Sequence, residues 1–289
     1  MQILQRTMVL NSPVKKKLKI SNDTPIKPLK FAVDGNIAAG KSTLVDALKK
    51  RRPEWSIFPE PVTRWTSVSP DSQTLTASQQ NGGNLLQNFY DDKSRWAFTF
   101  QYYALFSKLR LHSKSVDLVN NTSPVQIYER SYYSDRYIFA ENCFNSGYMD
   151  ATEWGIYKDF CGYWVNTVGS YDLEGIIYLR ASPETCVQRR MIRGRPEEKS
   201  IPKSYIETLH EKHEDLFYNK CTQVDESFTK LPILVVDCDS NCPDKWEANI
   251  DKIINFIDQS SNSKNKLIKS KLTFSNDSES SGCSSETEL

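Results

Sequence analysis

Long apolar runs are missing from this chain of 289 residues. None reaches the roughly 18 residues that a membrane-spanning helix needs, so the sequence offers no membrane partner. Net charge is missing too: 37 basic side chains face 36 acidic ones, for a formal charge of +1. A balanced chain has no global field to gather nucleic acid. Histidine is scarce, at three residues. His210 and His213 are three apart on an expected helix, but no cysteine or third histidine stands at ligand spacing, so both are expected on the surface. The seven cysteines are odd in number and scattered, with no C-x-x-C. That excludes a disulfide framework and points to free thiols in a reducing compartment. The opening MQILQRTMVL is too short and too polar for a signal-peptide core.

What is present falls into three parts. Residues 1–28 are polar and basic, with a cluster at Lys15, Lys16, Lys17 and Lys19. Residues 260–289 are rich in Ser, Asn, Lys and Glu. Neither end carries enough apolar surface to offset the entropy of ordering, so both are expected to be disordered. The domain between them, 29–259, alternates short apolar runs with amphipathic stretches. Strands are expected at 29–34, 57–59, 125–129, 175–180 and 231–237. Helices are expected at 41–51, 84–115, 134–145, 151–167, 183–193, 202–219 and 244–259. The runs FAVD, VQIYE, GIIYL and PILVVD lack polar alternation, as suits strands covered on both faces of a parallel sheet. The pattern predicts an α/β fold, an open doubly wound sheet of five parallel strands flanked by helices. Ligands then sit beyond the carboxyl ends of the strands.

One motif lies at such an end. Gly35-Asn36-Ile37-Ala38-Ala39-Gly40-Lys41-Ser42 matches G-x-x-x-x-G-K-[ST], between an expected strand and an expected helix. Glycines let the loop curl so that successive backbone N–H groups face one anion. The helix beginning near Lys41 adds its positive end. Lys41 then reaches the terminal phosphates of a nucleoside triphosphate, and the Ser42 hydroxyl ligates magnesium. A phosphate loop alone does not separate a kinase from a switch or a motor. Three further segments end strands or follow them: Glu60-Pro61-Val62, Glu129-Arg130-Ser131, and the charged stretch holding Arg189, Arg193, Arg195, Glu197 and Glu198. Phosphoryl transfer needs cations to stabilise spread negative charge and a carboxylate to accept a hydroxyl proton, and these segments hold both.

The chain resembles the deoxycytidine/deoxyguanosine kinase branch of the deoxyribonucleoside kinases. The stretches DGNIAAGKSTLV, PEPVTRW, SQQNGGNLLQNFY, RWAFTFQYYA, ERSYYSDRYIFAEN, GIIYLRASPETC, IRGRPEE and SYIETLHEKHED carry the likeness, in the family's order and spacing. The resemblance implies a P-loop kinase with a helical lid, Mg2+ as cofactor, and transfer of the γ-phosphate of ATP or another triphosphate to a deoxynucleoside 5′-hydroxyl. By position, Glu60 is the general base and Arg130 holds it and the hydroxyl. Glu129 joins Ser42 at the metal, and the loop through Thr43 cradles the phosphates. Tyr90 and Glu198 grip the sugar 3′-hydroxyl. Gln101 reads the base edge, consistent with a carboxamide that offers donor and acceptor together. Ile37, Val62, Trp65, Leu86, Phe89 and Phe139 wall the base and sugar. Arg189, Arg193 and Arg195 clamp the phosphates, and Cys238, Asp239, Ser240, Asn241 and Cys242 form the loop over the donor base, in a sequence unlike the family's.

Asp135 argues against thymidine, because in this branch the acid and a basic partner fill the space of the thymine 5-methyl. That partner is arginine in the family and Lys108 here, a compact ammonium with fewer fixed donors. Deoxycytidine and purine deoxynucleosides are therefore the expected substrates, with a broadened pocket. The resemblance also implies a homodimer packed through helices near 84–115 and 150–166. Three other readings compete: a nucleoside monophosphate kinase, which lacks a spare arginine for an acceptor phosphate; a nucleotide sensor, which has no need of Glu60, Glu129 and Arg130; and a nucleic-acid binder, for which the lysine cluster has no interleaved aromatics. The cluster reads equally as a nuclear-localisation patch and as a solvated tail. Arginine is too sparse there for a mitochondrial transit peptide, which leaves the cytoplasm, with nuclear entry as a second reading.

Overall fold

The computed structural model describes residues 28–68, 83–117, 123–168, 172–240 and 242–279. The lysine cluster, Asn241 and the final ten residues lie outside them. Five strands form one parallel sheet: β1 (Leu29–Gly35), β2 (Ser56–Phe58), β3 (Val125–Glu129), β4 (Gly175–Arg180) and β5 (Ile233–Asp237), in the order β2-β3-β1-β4-β5. Every residue of β1 and β3 is buried, which is why their sequences show no alternation. The edge strands β2 and β5 are only half-covered. In register, Val33 stands beside Glu129 and Gly35 beside Leu179. The ends of β3, β1 and β4 thus finish at one level, and β1, with β3 on one side and β4 on the other, sits at the middle of the crevice.

The helices follow from their caps. α1 (Lys41–Arg51) leaves the loop directly and ends on Lys49, Lys50 and Arg51, which suit the negative end of its dipole. A short helix, α2 (Val62–Thr66), follows β2 where the sequence pattern gave none. The expected helix at 84–115 is two: α3 (Leu85–Asp91) and α4 (Lys93–Asp117), separated at Asp92, whose backbone leaves the helical region. Asp92 accepts a hydrogen bond from the Arg95 N–H at 3.1 Å, and so caps α4 rather than continuing α3. α5 (132–145) contains a π turn at Asp135–Ala140, and α6 is Ala151–Val168. In α7 (Pro183–Arg193) the Ser182 cap, Pro183 at the start and left-handed Gly194 at the end match the local preferences for those positions. A 3-10 turn at Pro196–Glu198 leads to α8 (203–218), which also ends in a π turn, then to the single turn α9 (Glu226–Thr229).

Two expectations are corrected. α10 (Pro243–Glu279) stays helical beyond residue 259, where an irregular tail was expected; after Pro243 no proline or glycine interrupts it. His213 is fully buried rather than exposed. Its Nδ1 lies 2.6 Å from the Leu209 carbonyl oxygen, and its ring packs among Phe139, Tyr178 and Phe217. Burial, then the Arg130 charge, hold it well below the ordinary histidine range, so it serves as a neutral core group.

Candidate active site

The loop between β1 and α1 has the backbone that a phosphate cradle requires. Gly35 and Gly40 take φ of 152° and 106°, and Ala38 sits at 60°. A Cβ on Gly35 would stand 2.7 Å from the Leu179 carbonyl oxygen, so β4 itself forbids a side chain there. Asn36 is buried and pins the loop, accepting from the Ile37 N–H at 2.8 Å and donating to the Ile206 carbonyl at 2.9 Å. Lys41 folds onto its own loop, donating to the carbonyls of Gly35 (3.0 Å) and Asn36 (2.7 Å). Burial, then Arg130, lower its pKa to about 7 against the pull of Glu129, Glu60 and Asp34. The Ser42 hydroxyl donates to Glu129 Oε1 at 2.8 Å, while Glu129 Oε2 accepts from the Glu60 N–H at 3.3 Å. Carboxylate and hydroxyl oxygens are hard donors of the kind a divalent cation takes.

Beside them is a buried charge cluster. Arg130 occupies the left-handed region at φ 69°, which is strained for a residue with a side chain. Its Nε lies 3.0 Å from Glu60 Oε1, its Nη1 donates to the Gly35 carbonyl at 2.9 Å, and its guanidinium lies over the Phe139 ring at 4.4 Å. Lys108 stands between two acids, 2.5 Å from Asp135 Oδ1 and 3.4 Å from Glu60 Oε1. Burial pushes Glu60 upward, but Arg130, Lys108 and Lys41 together hold it below the usual carboxylate range. Asp135 moves the other way: burial, only partly offset by Lys108, pushes it up to about 6. Its Oδ2 is buried without a hydrogen-bond partner.

These groups open onto one cavity of about 920 Å³. Ile37, Val62, Trp65, Leu86, Phe89, Tyr90, Gln101, Asp135 and Phe139 all line it. Phe89 stacks on Phe100 at 4.6 Å, and Trp65 meets Phe100 edge-on at 5.5 Å. Those rings give flat apolar walls of the kind that stack on a nucleobase. Gln101 is buried and its Nε2 donates to Cys143 Sγ at 3.7 Å. Lys108 stands behind Asp135 rather than on the wall. Tyr90 and Glu198 both reach the cavity, and Glu198 is paired with Arg193 and, at 2.8 Å, with Arg195.

Residues 38–43 of the loop, Glu129, Arg189 and Ser240 line it too. Gly35 and Asn36 lie beneath this lining. Arg189 bridges the loop and the residue that follows β5, donating to the carbonyls of Ala39 (3.3 Å) and Cys238 (2.7 Å). Cys238 itself is buried, Asp239 accepts from the Ser182 N–H at 2.7 Å, and Cys242 is exposed. Of the loop at 238–242, then, Ser240 is brought to the cavity, and Asn241 lies outside the described residues. Sequence reasoning missed Asp46, Pro59, Phe100, Ala104, Ile192, Tyr205, Pro243 and Trp246, which also line it. Trp246 lies one turn into α10, and no local motif announced it.

The arrangement places a loop of phosphate-cradle geometry, a cluster of cations, a carboxylate held ionised and an aromatic cleft around a single space. That is what transfer of a phosphoryl group to a flat, ring-bearing alcohol requires. Comparison with known proteins agrees. The family model described as deoxynucleoside kinase matches residues 31–260. Deoxycytidine kinase 2 of Gallus gallus is 45% identical over 238 residues, covering 79% of this chain and 90% of that protein. Human deoxycytidine kinase is 44% identical over 244 residues, covering 82% and 93%. The mitochondrial deoxyguanosine kinase of Xenopus laevis is 36% identical over 242 residues, covering 82% and 91%. This chain belongs to the deoxynucleoside kinase family, on its deoxycytidine/deoxyguanosine kinase-like branch.

Proposed function

We propose that this deoxynucleoside kinase moves the γ-phosphate of ATP, or of another nucleoside triphosphate, onto the 5′-hydroxyl of deoxycytidine and of purine deoxynucleosides in nucleotide salvage. The observation that carries the reading is Glu60, a buried carboxylate kept ionised between Arg130 and Lys108 on the wall of the cavity. Glu60 takes the proton of the 5′-hydroxyl as the oxygen attacks phosphorus, and Arg130 fixes the carboxylate and the hydroxyl. Lys41, Arg189, Arg193 and Arg195 neutralise the phosphates. Ser42 and Glu129 would hold Mg2+, which would supply charge neutralisation on the transferring group.

Gln101 pairs with the base edge, and Tyr90 with Glu198 holds the sugar 3′-hydroxyl. The Asp135–Lys108 pair occupies the space of the thymine 5-methyl, so thymidine is a poor substrate. The solvent-facing apolar side chains of α4 and α6, Phe106, Ile156 and Tyr163, support a homodimer across that face. We place the activity in the cytoplasm, with nuclear entry through the lysine cluster as the second reading.

Initial rates of the purified chain on the four deoxynucleosides, with ATP and magnesium, test this. Deoxycytidine, deoxyadenosine and deoxyguanosine should be phosphorylated and thymidine poorly. The Glu60→Gln variant should lose roughly 10²–10⁴ in kcat while still binding triphosphate. Thymidine as the best substrate, or full turnover by Glu60→Gln, would overturn the corresponding assignment.

A further inference from the structure

Lys93 opens α4 and carries its cation in the first turn, where the helix dipole disfavours positive charge. No carboxylate among the described residues pairs with it, although Asp91 and Asp92 precede it directly. Both are engaged elsewhere: Asp91 accepts from Gln87 Nε2 at 2.7 Å, and Asp92 caps α4 through the Arg95 N–H. The Lys93 ammonium lies instead among three tyrosine rings, 5.2 Å from the centroid of Tyr205 and 5.9 Å from those of Tyr90 and Tyr148. These come from α3, α8 and the loop after α5, segments far apart in sequence. Two of the rings, Tyr90 and Tyr205, line the cavity. Lys93 also heads the helical stripe that continues one turn on to Ala97 and two turns on to Gln101.

We propose that Lys93 is a positioning residue for the sugar side of the nucleoside pocket. Its ammonium, held against the faces of Tyr90 and Tyr205, fixes the plane of the Tyr90 ring and so the direction of its hydroxyl toward the sugar 3′-oxygen. A cation over a ring face is attracted by the ring quadrupole and resists rotation of that ring. The three rings offset the unfavourable place of the charge at the helix start, and the lysine in return ties α3, α4 and α8 together around the sugar. The inference rests on the reading of Tyr90 as the partner of the 3′-hydroxyl.

The test is a ratio taken within each enzyme: kcat/KM for 2′-deoxycytidine over kcat/KM for 2′,3′-dideoxycytidine. It cancels any loss of folded protein. Lys93→Met should lower the ratio by roughly threefold to tenfold, mostly through KM for the 3′-hydroxyl substrate, and Lys93→Arg should restore most of it, since either cation can sit on the rings. Tyr90→Phe should lower the ratio at least as far. If Tyr90→Phe collapses the ratio and Lys93→Met leaves it where it was, or lowers both substrates equally, Lys93 has no positioning role. If Tyr90→Phe leaves the ratio unchanged, the reading of Tyr90 fails and the inference fails with it.

Discussion

Glu60 and Asp135 are both buried, and both lie within reach of Lys108, yet they are shifted in opposite directions. Three cations surround Glu60, counting Arg130 and Lys41, and they outweigh its desolvation. Asp135 has its main cation in Lys108 and is further opposed by Glu60, so desolvation prevails and its pKa rises to about 6 from 3.8. The sign of the consequence follows. Above pH 6 Asp135 is ionised and paired with Lys108; below it the acid is neutral and the pair is lost, while Glu60 is still charged. As pH falls from 8 to 5, the ratio of thymidine to deoxycytidine kcat/KM should rise with a midpoint near pH 6, ahead of any loss of kcat on deoxycytidine. Rate profiles for both nucleosides measure this. A flat ratio over that range would remove Asp135 from base selection. Asp135→Ala should reach the low-pH value of the ratio at every pH.

Among the elements, β1 and its loop are the most constrained. Gly35 combines a φ of 152° with a 2.7 Å approach of the Leu179 carbonyl to where a Cβ would stand. Gly35→Ala should therefore cost about 1–3 kcal/mol of stability through strain. It should appear as a lower midpoint in urea with an unchanged slope, together with weaker triphosphate binding. A variant as stable as the parent would mean that β4 yields at that point. α3 and α4 show the limit of helical periodicity. Helical spacing of the apolar residues resumes beyond the polar run at 91–95, and the Asp92 cap there divides the single expected helix in two. The π turns in α5 and α8 leave no periodic trace either, because each is a local widening decided by packing.

At the scale of the molecule, α6 leaves Ile156 half exposed and Tyr163 at 65% exposure, with Phe106 of α4 at 40%. Exposed apolar side chains on two packed helices fit the proposed self-complementary contact between copies. Sedimentation should give a dimer for the full chain, and Ile156→Lys should shift it toward monomer with the nucleoside kinase activity of each protomer largely kept. A monomeric parent would overturn the homodimer. The cavity is likewise a property of the whole: its walls come from the segments that follow β1, β2, β3 and β5, from α1 to α5, from α7 and the turn after it, and from the starts of α8 and α10.

The sequence alone determined the succession of the five strands and most of the helices along the chain, and the phosphate loop. These depend on local rules: buried parallel strands need unbroken apolar runs, a phosphate cradle needs glycine, and caps need small polar residues. The family likeness added the roles of Glu60, Arg130, Tyr90 and Gln101, which stand as ordinary residues of strands and helices until those elements are assembled. Tertiary structure decided what no local rule carries: that Lys108 is shared by two acids, that Lys93 lies among tyrosines from three segments, that His213 is a core group, and that Trp246 lines the cavity. Each depends on side chains distant in sequence meeting in a space of low dielectric, where a charge takes its properties from whatever surrounds it.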